Sequence, residues 1–294
     1  MENYQNNISQ KTRLLNFFRK VFAFSPMDTL LFSLRKTVPY AFYRKLVPPE
    51  YLYSPGRARQ VVRRGLRLRL DPSHVVDHFL YWDLKEKSID RAVEEARKAH
   101  VILDIGANIG AVSLQFAKVH PAARILSFEP HPLTFKRAQH NIDLNKVQNI
   151  ELLPLGLGEK KDTVRLYEVN SNNPGMNRII PGEQSAPFQE IQIEELDALL
   201  EARGINSVDF IKLDVEGYEH SVLKGGSALL QHCHPVLFIE LDDNNLRIHQ
   251  SSARMLLEFL QTCGYKQFFR ADTLSVLLPE EDLAGCHLDI LVKP

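Results

Sequence analysis

The run Val101-Ile-Leu-Asp-Ile-Gly-Ala-Asn-Ile-Gly-Ala-Val-Ser113 limits the fold more than any other stretch of this chain. Three apolar residues lead into Asp104, and a glycine-spaced turn through Gly106, Ala107, Asn108 and Gly110 opens an apolar helix. That order predicts a buried parallel strand, a tight loop and a helix N-terminus, a layout that seats a nucleotide-like ligand. A dinucleotide fingerprint needs G-x-G-x-x-G, with its second glycine letting backbone approach a pyrophosphate. Here that position is Asn108, and an acid stands two residues before the first glycine. A carboxylate there repels a pyrophosphate and suits a cationic ligand.

The rest of the chain supplies the frame for that loop. From residue 101 it alternates strand and helix: strands at 101–105, 124–128, 149–154, 188–193, 208–213 and 236–241, with helices at 109–119, 132–144, 195–203, 218–230 and 250–263. Short strands are expected at 163–168, 265–270, 274–278 and 288–293, and the stretch to residue 186 reads as a loop. The pattern predicts an α/β fold, a doubly wound and mostly parallel sheet with an antiparallel C-terminal edge. Ligands bind such sheets beyond the carboxyl ends of the strands.

Acids at those ends carry the chemistry. Glu129 ends its strand 19 residues past Gly110, where a carboxylate can accept both ribose hydroxyls, and Pro130 fixes the chain's exit. The alternative for Asp104 and Glu129 is capping of the helices that follow them. His131 is expected as a solvent-facing loop residue. In Asp209-Phe-Ile-Lys-Leu-Asp-Val-Glu-Gly-Tyr-Glu219, strand periodicity places Lys212 and Asp214 on one face. A lysine inside a buried strand is costly without a paired charge. Lys212 and Asp214 are candidates for lowering the pKa of an acceptor hydroxyl or taking its proton, and Glu216 and Glu219 for positioning. Replacing Lys212 by Met is expected to spare cofactor binding and lower turnover. Glu240 ends the neighbouring strand and could pair with Asp214. Two or three such acids leave a hard cation such as Mg²⁺ open without defining a ligand set, and no metal ligand is assigned. Cys233 between His232 and His234 lacks a second half at zinc spacing and reads as loop.

Charge divides the chain. Residues 1–70 hold 14 Lys and Arg against 3 Asp and Glu, net +11, and the remainder holds 22 against 33, net −11. Val47-Pro-Pro-Glu50 and Ser54-Pro-Gly56 punctuate a boundary, giving a basic helical N-terminal extension over 1–58 and a main domain over 59–294. Residues 60–70 read as a hairpin, and 73–98 as helix with a break at Ser88. Leu14, Phe17, Phe18 and Val21 fall at helical spacing among Arg13, Arg19 and Lys20. Two readings stand: a helix packed on this protein or a partner, and a helix lying on an anionic membrane surface. Neither a membrane span nor a cleavable signal is expected. Three cysteines without pattern fit a reducing cytoplasm, with peripheral contact at the inner membrane face under the second reading.

These residues carry a resemblance. Leu103-Asp-Ile-Gly-Ala-Asn-Ile-Gly110, Phe128-Glu-Pro130, Leu196-Asp197, Ile211-Lys-Leu-Asp-Val-Glu-Gly-Tyr-Glu219, Val222-Leu-Lys-Gly225 and Glu240 resemble the FkbM-type methyltransferases, over roughly residues 60–293. The resemblance implies a class I Rossmann-like fold and transfer of a methyl group from S-adenosylmethionine to a hydroxyl of a sugar, glycolipid or natural product. It implies cofactor roles for Asp104, Gly106, Asn108, Gly110 and Glu129, and acceptor-side roles for Lys212, Asp214, Glu216 and Glu240. An acid before the helix leading to the first strand is a family feature that Asp83 or Glu86 could supply. Expected partners are a small-molecule or glycan acceptor and no nucleic acid; the oligomeric state is left open. Two other readings remain at this point: a nicotinamide-dependent oxidoreductase, and a non-catalytic module recruited through its basic N-terminus.

Overall fold

The computed structural model describes residues 10–24, 26–170 and 173–294, which form two compact units. The first comprises the described residues up to Gly65 together with Arg69–Lys85; the second comprises Leu66–Leu68 and Glu86–Pro294. Residues 59–85, expected with the main domain, thus fall largely with the N-terminal segment.

The first unit contains helices Gln10–Phe22, Met27–Leu34, Tyr40–Leu46 and Val75–Tyr81, and the hairpin strand β1 (Arg59–Arg63), which pairs with β2 (Leu66–Leu70). Its core is aromatic and held at its polar atoms. Trp82 Nε1 donates to Tyr53 Oη at 3.0 Å, and Tyr43 Oη donates to the Trp82 carbonyl at 2.9 Å. Buried Asp28 accepts from Tyr81 and Arg59, while Arg35 and Arg64 both hold Asp83. The contacts that pull residues 59–85 into this unit therefore span 29 to 53 positions of sequence. Several of its arginines are engaged internally rather than presented to solvent.

The second unit is built on a seven-stranded sheet ordered β12-β13-β11-β10-β3-β4-β5. Its strands are β3 (Val101–Ile105), β4 (Arg124–Phe128), β5 (Ile150–Leu153), β10 (Phe210–Leu213), β11 (Val236–Asp242), β12 (Gln267–Arg270) and β13 (His287–Lys293). β11, β10, β3, β4 and β5 run parallel, and β13 and β12 pair antiparallel, as the strand–helix alternation predicts. Both faces are covered, so the central strands are mostly apolar up to their carboxyl ends. Ile102, Ile125, Phe210 and Phe238 pack on one face with Phe116 and Ala92, and Leu103, Leu126, Ile211 and Leu237 pack on the other with Leu223, Leu230 and Leu257.

A second sheet, ordered β6-β9-β7-β8, is inserted between β5 and β10 in sequence. It comprises β6 (Gly156–Gly158), β7 (Asp162–Tyr167), β8 (Arg178–Ile179) and β9 (Phe188–Glu195), so the expected loop before residue 186 contains a short strand.

Local capping sets several helix boundaries. His131 Nδ1 accepts from Thr134 N, and Pro132 opens the helix Pro132–Asn145, a position where the missing N–H costs nothing. Asp242 caps an unforeseen helix, Asp243–Ile248, and Ser252 caps Ala253–Thr262. The helix expected over 218–230 is two, Glu219–Gly225 and Ser227–Cys233. Residues 274–278 form no strand; Val276 makes one isolated bridge to Phe269.

Candidate active site at the strand ends

The sheet register lines up the predicted residues. Asp104 on β3 stands opposite Ser127 on β4 and Lys212 on β10. One step beyond on the same face come Glu129, Gly106, Asp214 and Glu240, with Glu240 opposite Asp289 on β13. Polar side chains thus replace apolar ones on this face only where the strands end.

The loop after β3 is held from several sides. The Phe128 carbonyl accepts from Gly106 N at 3.1 Å and Ala107 N at 2.9 Å. Gly106 has φ +82°, and a Cβ there would lie 1.8 Å from the Asp214 carbonyl oxygen, so no other residue fits. Asn108 has φ +50°, tolerable for asparagine, and Gly110 has φ +76° at the start of the helix Ala111–Val119. Asn141 Nδ2 donates to the Ile109 carbonyl at 3.0 Å.

Glu129 is a strut of this loop. Its Oε2 accepts from Asn108 N and its Oε1 from His131 N, both at 2.9 Å. Each oxygen keeps a second lone pair for another donor. Burial pushes its carboxyl up to about 7 despite those two hydrogen bonds. Pro130 follows half-buried. His131 corrects an expectation: it is buried, caps its helix and sits 3.3 Å from Glu168 Oε1, because the cap turns the ring inward.

Asp104 is fully buried. Its Oδ2 accepts from Ser113 Oγ at 2.5 Å, and Ser127 Oγ donates to Ser113 Oγ at 2.9 Å. Its Oδ1 has no hydrogen-bond partner and lies 3.5 Å from Lys212 Nζ. Lys212 Nζ donates to the Gly106 carbonyl at 2.7 Å and lies 3.2 Å from Asp214 Oδ2. Burial pulls the Lys212 ammonium down, but Asp214 and then Asp104 pull it up by more, and the net shift is upward. Lys212 is therefore a buried cation that ties β3 to β10 through the Gly106 carbonyl and both neighbouring aspartates.

The acceptor-side acids are arranged differently. Asp214 is partly open, its side chain 37% exposed. Glu216 has φ +56°; its Oε2 accepts from Asn245 Nδ2 at 3.1 Å and Arg178 Nη2 at 3.3 Å. Burial first and Asp214 second push it up to about 7. Glu219 Oε1 accepts from Val215 N and Gly217 N, its Oε2 is buried without a partner, and burial pushes it up to about 7. Glu240 is pushed well up, by Asp214 first and burial second.

Arg178, Asn245, Ser113, Ser127 and Asp289 were not singled out from sequence. Ser127 shares strand periodicity with Glu129 and Ser113 lies one turn into the loop's helix, which are faint signals; the other three gave none. Asp83 is bound by Arg35 and Arg64, and Glu86 is exposed. Among the described residues, no group of three or more His, Cys, Asp or Glu side chains is placed to hold a metal ion.

Known proteins share this region. The methyltransferase sdnD of Sordaria araneosa is 29% identical over 154 residues, 42% of this chain and 59% of its own length. The 2-O-methyltransferase NoeI of Sinorhizobium fredii is 24% identical over 174 residues, 54% of this chain and 70% of its own. The hexuronic acid methyltransferase AglP of Haloferax volcanii is 30% identical over 139 residues, 47% of this chain and 55% of its own. The chain thus spans little more than half the length of two of these relatives. The crystal structure of the FkbM methyltransferase from Methylobacillus flagellatus is 18% identical and superposes with a TM-score of 0.46, covering 74% of this chain and 52% of that one. The methyltransferase FkbM domain model matches residues 104–266, more than half of the chain, running from the buried aspartate of β3 to the residue before β12. By that match the chain belongs to the FkbM methyltransferase family.

Proposed function

We propose that this chain is an S-adenosylmethionine-dependent O-methyltransferase acting on a hydroxyl of a sugar, glycolipid or natural product in the reducing cytoplasm. The observation that carries the reading is the strand-end row in which Asp104, Glu129, Asp214 and Glu240 surround a single ammonium, Lys212. Such a row favours a cationic ligand, and the buried Asp104 Oδ1 and the second lone pairs of Glu129 are the acceptor capacity a nucleoside cation would use. Asp104 with the turn Gly106, Ala107, Asn108 and Gly110 would hold the amino-acid end, and Glu129 with Pro130 the ribose. When bound, the cofactor supplies a methyl group on a sulfonium centre.

The chain's own residues then have distinct parts. Asp214, the more open carboxylate, accepts the acceptor hydroxyl's proton. Lys212 keeps its proton and fixes both Asp214 Oδ2 and the Gly106 carbonyl, so base and loop keep one spacing. Glu240 stands beside Asp214 on the neighbouring strand, its carboxyl pushed up by that neighbour first and by burial second, and it backs the base rather than replacing it. Glu216, bound by Arg178 and Asn245, positions the acceptor's side of the rim. The names of the 2-O-methyltransferase and the hexuronic acid methyltransferase support a hydroxyl-bearing, sugar-like acceptor for this chain.

The test is transfer of labelled methyl from S-adenosylmethionine to glycan, glycolipid and small-molecule fractions of the source cells. Label should enter one of those fractions with the native protein and fall to background with Asp214→Asn. A folded protein that labels none of them would overturn the reading.

A further inference from the structure

The helix Gln10–Phe22 turns its apolar face away from its own unit. At 3.6 residues per turn, Leu14, Leu15, Phe17, Phe18, Val21 and Phe22 occupy an arc of roughly 160°, shared only with Gln10 and Lys11 of the first turn, and Asn16 lies opposite its middle. A helix packed on a core by its apolar stripe would bury that arc and leave Asn16 in water. The reverse is observed. Asn16 is buried and donates through Nδ2 to Tyr51 Oη at 2.8 Å, and Arg19 donates to the Lys45 carbonyl and to Asn16 Oδ1. Leu14 is 64% exposed, Phe17 70%, Phe18 57% and Val21 52%, and Phe24 just beyond the helix is 68% exposed. The helix holds four cations and no acid, and Lys11, Arg13 and Lys20 are exposed.

We propose that this face docks on an anionic lipid bilayer, the helix lying in the interface with its aromatic arc at the acyl boundary and Lys11, Arg13 and Lys20 against lipid phosphates. Charge complementarity selects that occupant: the helix presents Lys11, Arg13 and Lys20 to solvent and holds no acid. A second copy docked here would set the same cations face to face without acids to pair them. Among the described residues no helix is long and apolar enough to cross a membrane, so the helix lies on the surface. Aromatic residues on one face with Lys and Arg beside them suit that placement, the long cationic side chains reaching the phosphates while the rings stay in the apolar layer.

The experiment is flotation of the full chain with vesicles of phosphatidylcholine alone and with vesicles about one third phosphatidylglycerol. Partition onto the anionic vesicles should be at least about tenfold stronger and should weaken with salt. Phe17→Ser with Phe18→Ser should lower it by about tenfold with an unchanged thermal unfolding curve, because both rings are exposed in the folded protein. Changing Lys11, Arg13 and Lys20 together to Glu should abolish the preference for anionic vesicles. Absence of partition onto anionic vesicles, or equal partition by the native chain and the double Phe variant, overturns the proposal. So does a dimer in sedimentation equilibrium that the double Phe variant dissociates, which would assign the face to a second copy.

Discussion

On the β3–β4 side of the strand-end rim, the carboxylates are tied to donors: Glu129 to Asn108 N and His131 N, Asp104 to Ser113. On the β10–β11 side they act on one another, Asp214 raising Glu216, Glu219 and Glu240, and Glu216 and Glu219 raising Glu240 further. Lys212 stands between, bonded to the loop of the first side and paired with the base of the second. The first side is a finished cradle whose shape exists before any ligand arrives. The second holds more acids than the Lys212 and Arg178 cations paired with them, and crowded carboxyls keep protons they would lose to a further cation. Burial raises carboxyls in both halves, but only in the half proposed to face the acceptor is one raised mainly by a neighbouring acid, Glu240 by Asp214.

Four substitutions separate the halves. Asp214→Asn removes the proposed base and leaves the cradle, so turnover should drop by about 10²–10⁴ while S-adenosylhomocysteine affinity in calorimetry changes little. A comparable loss of affinity would merge the two sides. Lys212→Met leaves buried Asp104 without its ion pair, and chemical denaturation should show a stability loss of roughly 3–5 kcal/mol. Gly106→Ala places a Cβ against the Asp214 carbonyl and should cost roughly 2–4 kcal/mol in stability, with a matching fall in cofactor affinity. Glu129→Gln sets an amide NH₂ against the N–H of Asn108 or His131; S-adenosylhomocysteine affinity should fall about tenfold, with turnover at saturation nearly kept.

The cradle was legible because its signals are local and periodic. The apolar run into Asp104, the glycine spacing and the strand-end position of Glu129 each follow from chain geometry over a few residues. Arg178 was not, since a two-residue strand inside a long loop leaves no period to read. Leu274, Val276 and Leu278 alternate like a strand, yet all three are exposed and only Val276 bridges a neighbour. Asp242-Asp243-Asn244-Asn245 reads as a loop, but Asp242 uses its side chain to cap a helix there. The unit boundary near residue 85 was hidden for a different reason: Tyr43, Tyr53 and Trp82 meet across about 30–40 residues, and no local pattern encodes that meeting. In the helix Gln10–Phe22 the apolar spacing is local, but which face packs inward depends on Tyr51 and Lys45.

The central claim is that these carboxyls surround a cation. Glu129, Glu216 and Glu219 sit at about 7, partly protonated at neutral pH. A nearby positive charge lowers a carboxyl's pKa, so binding a sulfonium should expel protons, and its affinity should rise as pH climbs through 7, by up to about tenfold per unit for each proton released. The neutral thioether of S-adenosylhomocysteine should release fewer. The direct measurement is calorimetric titration of both ligands from about pH 6 to about pH 8, in buffers of different ionisation heat. The account predicts more protons released, and a steeper gain in affinity with pH, for S-adenosylmethionine; equal proton counts and parallel pH profiles for the two ligands would contradict it.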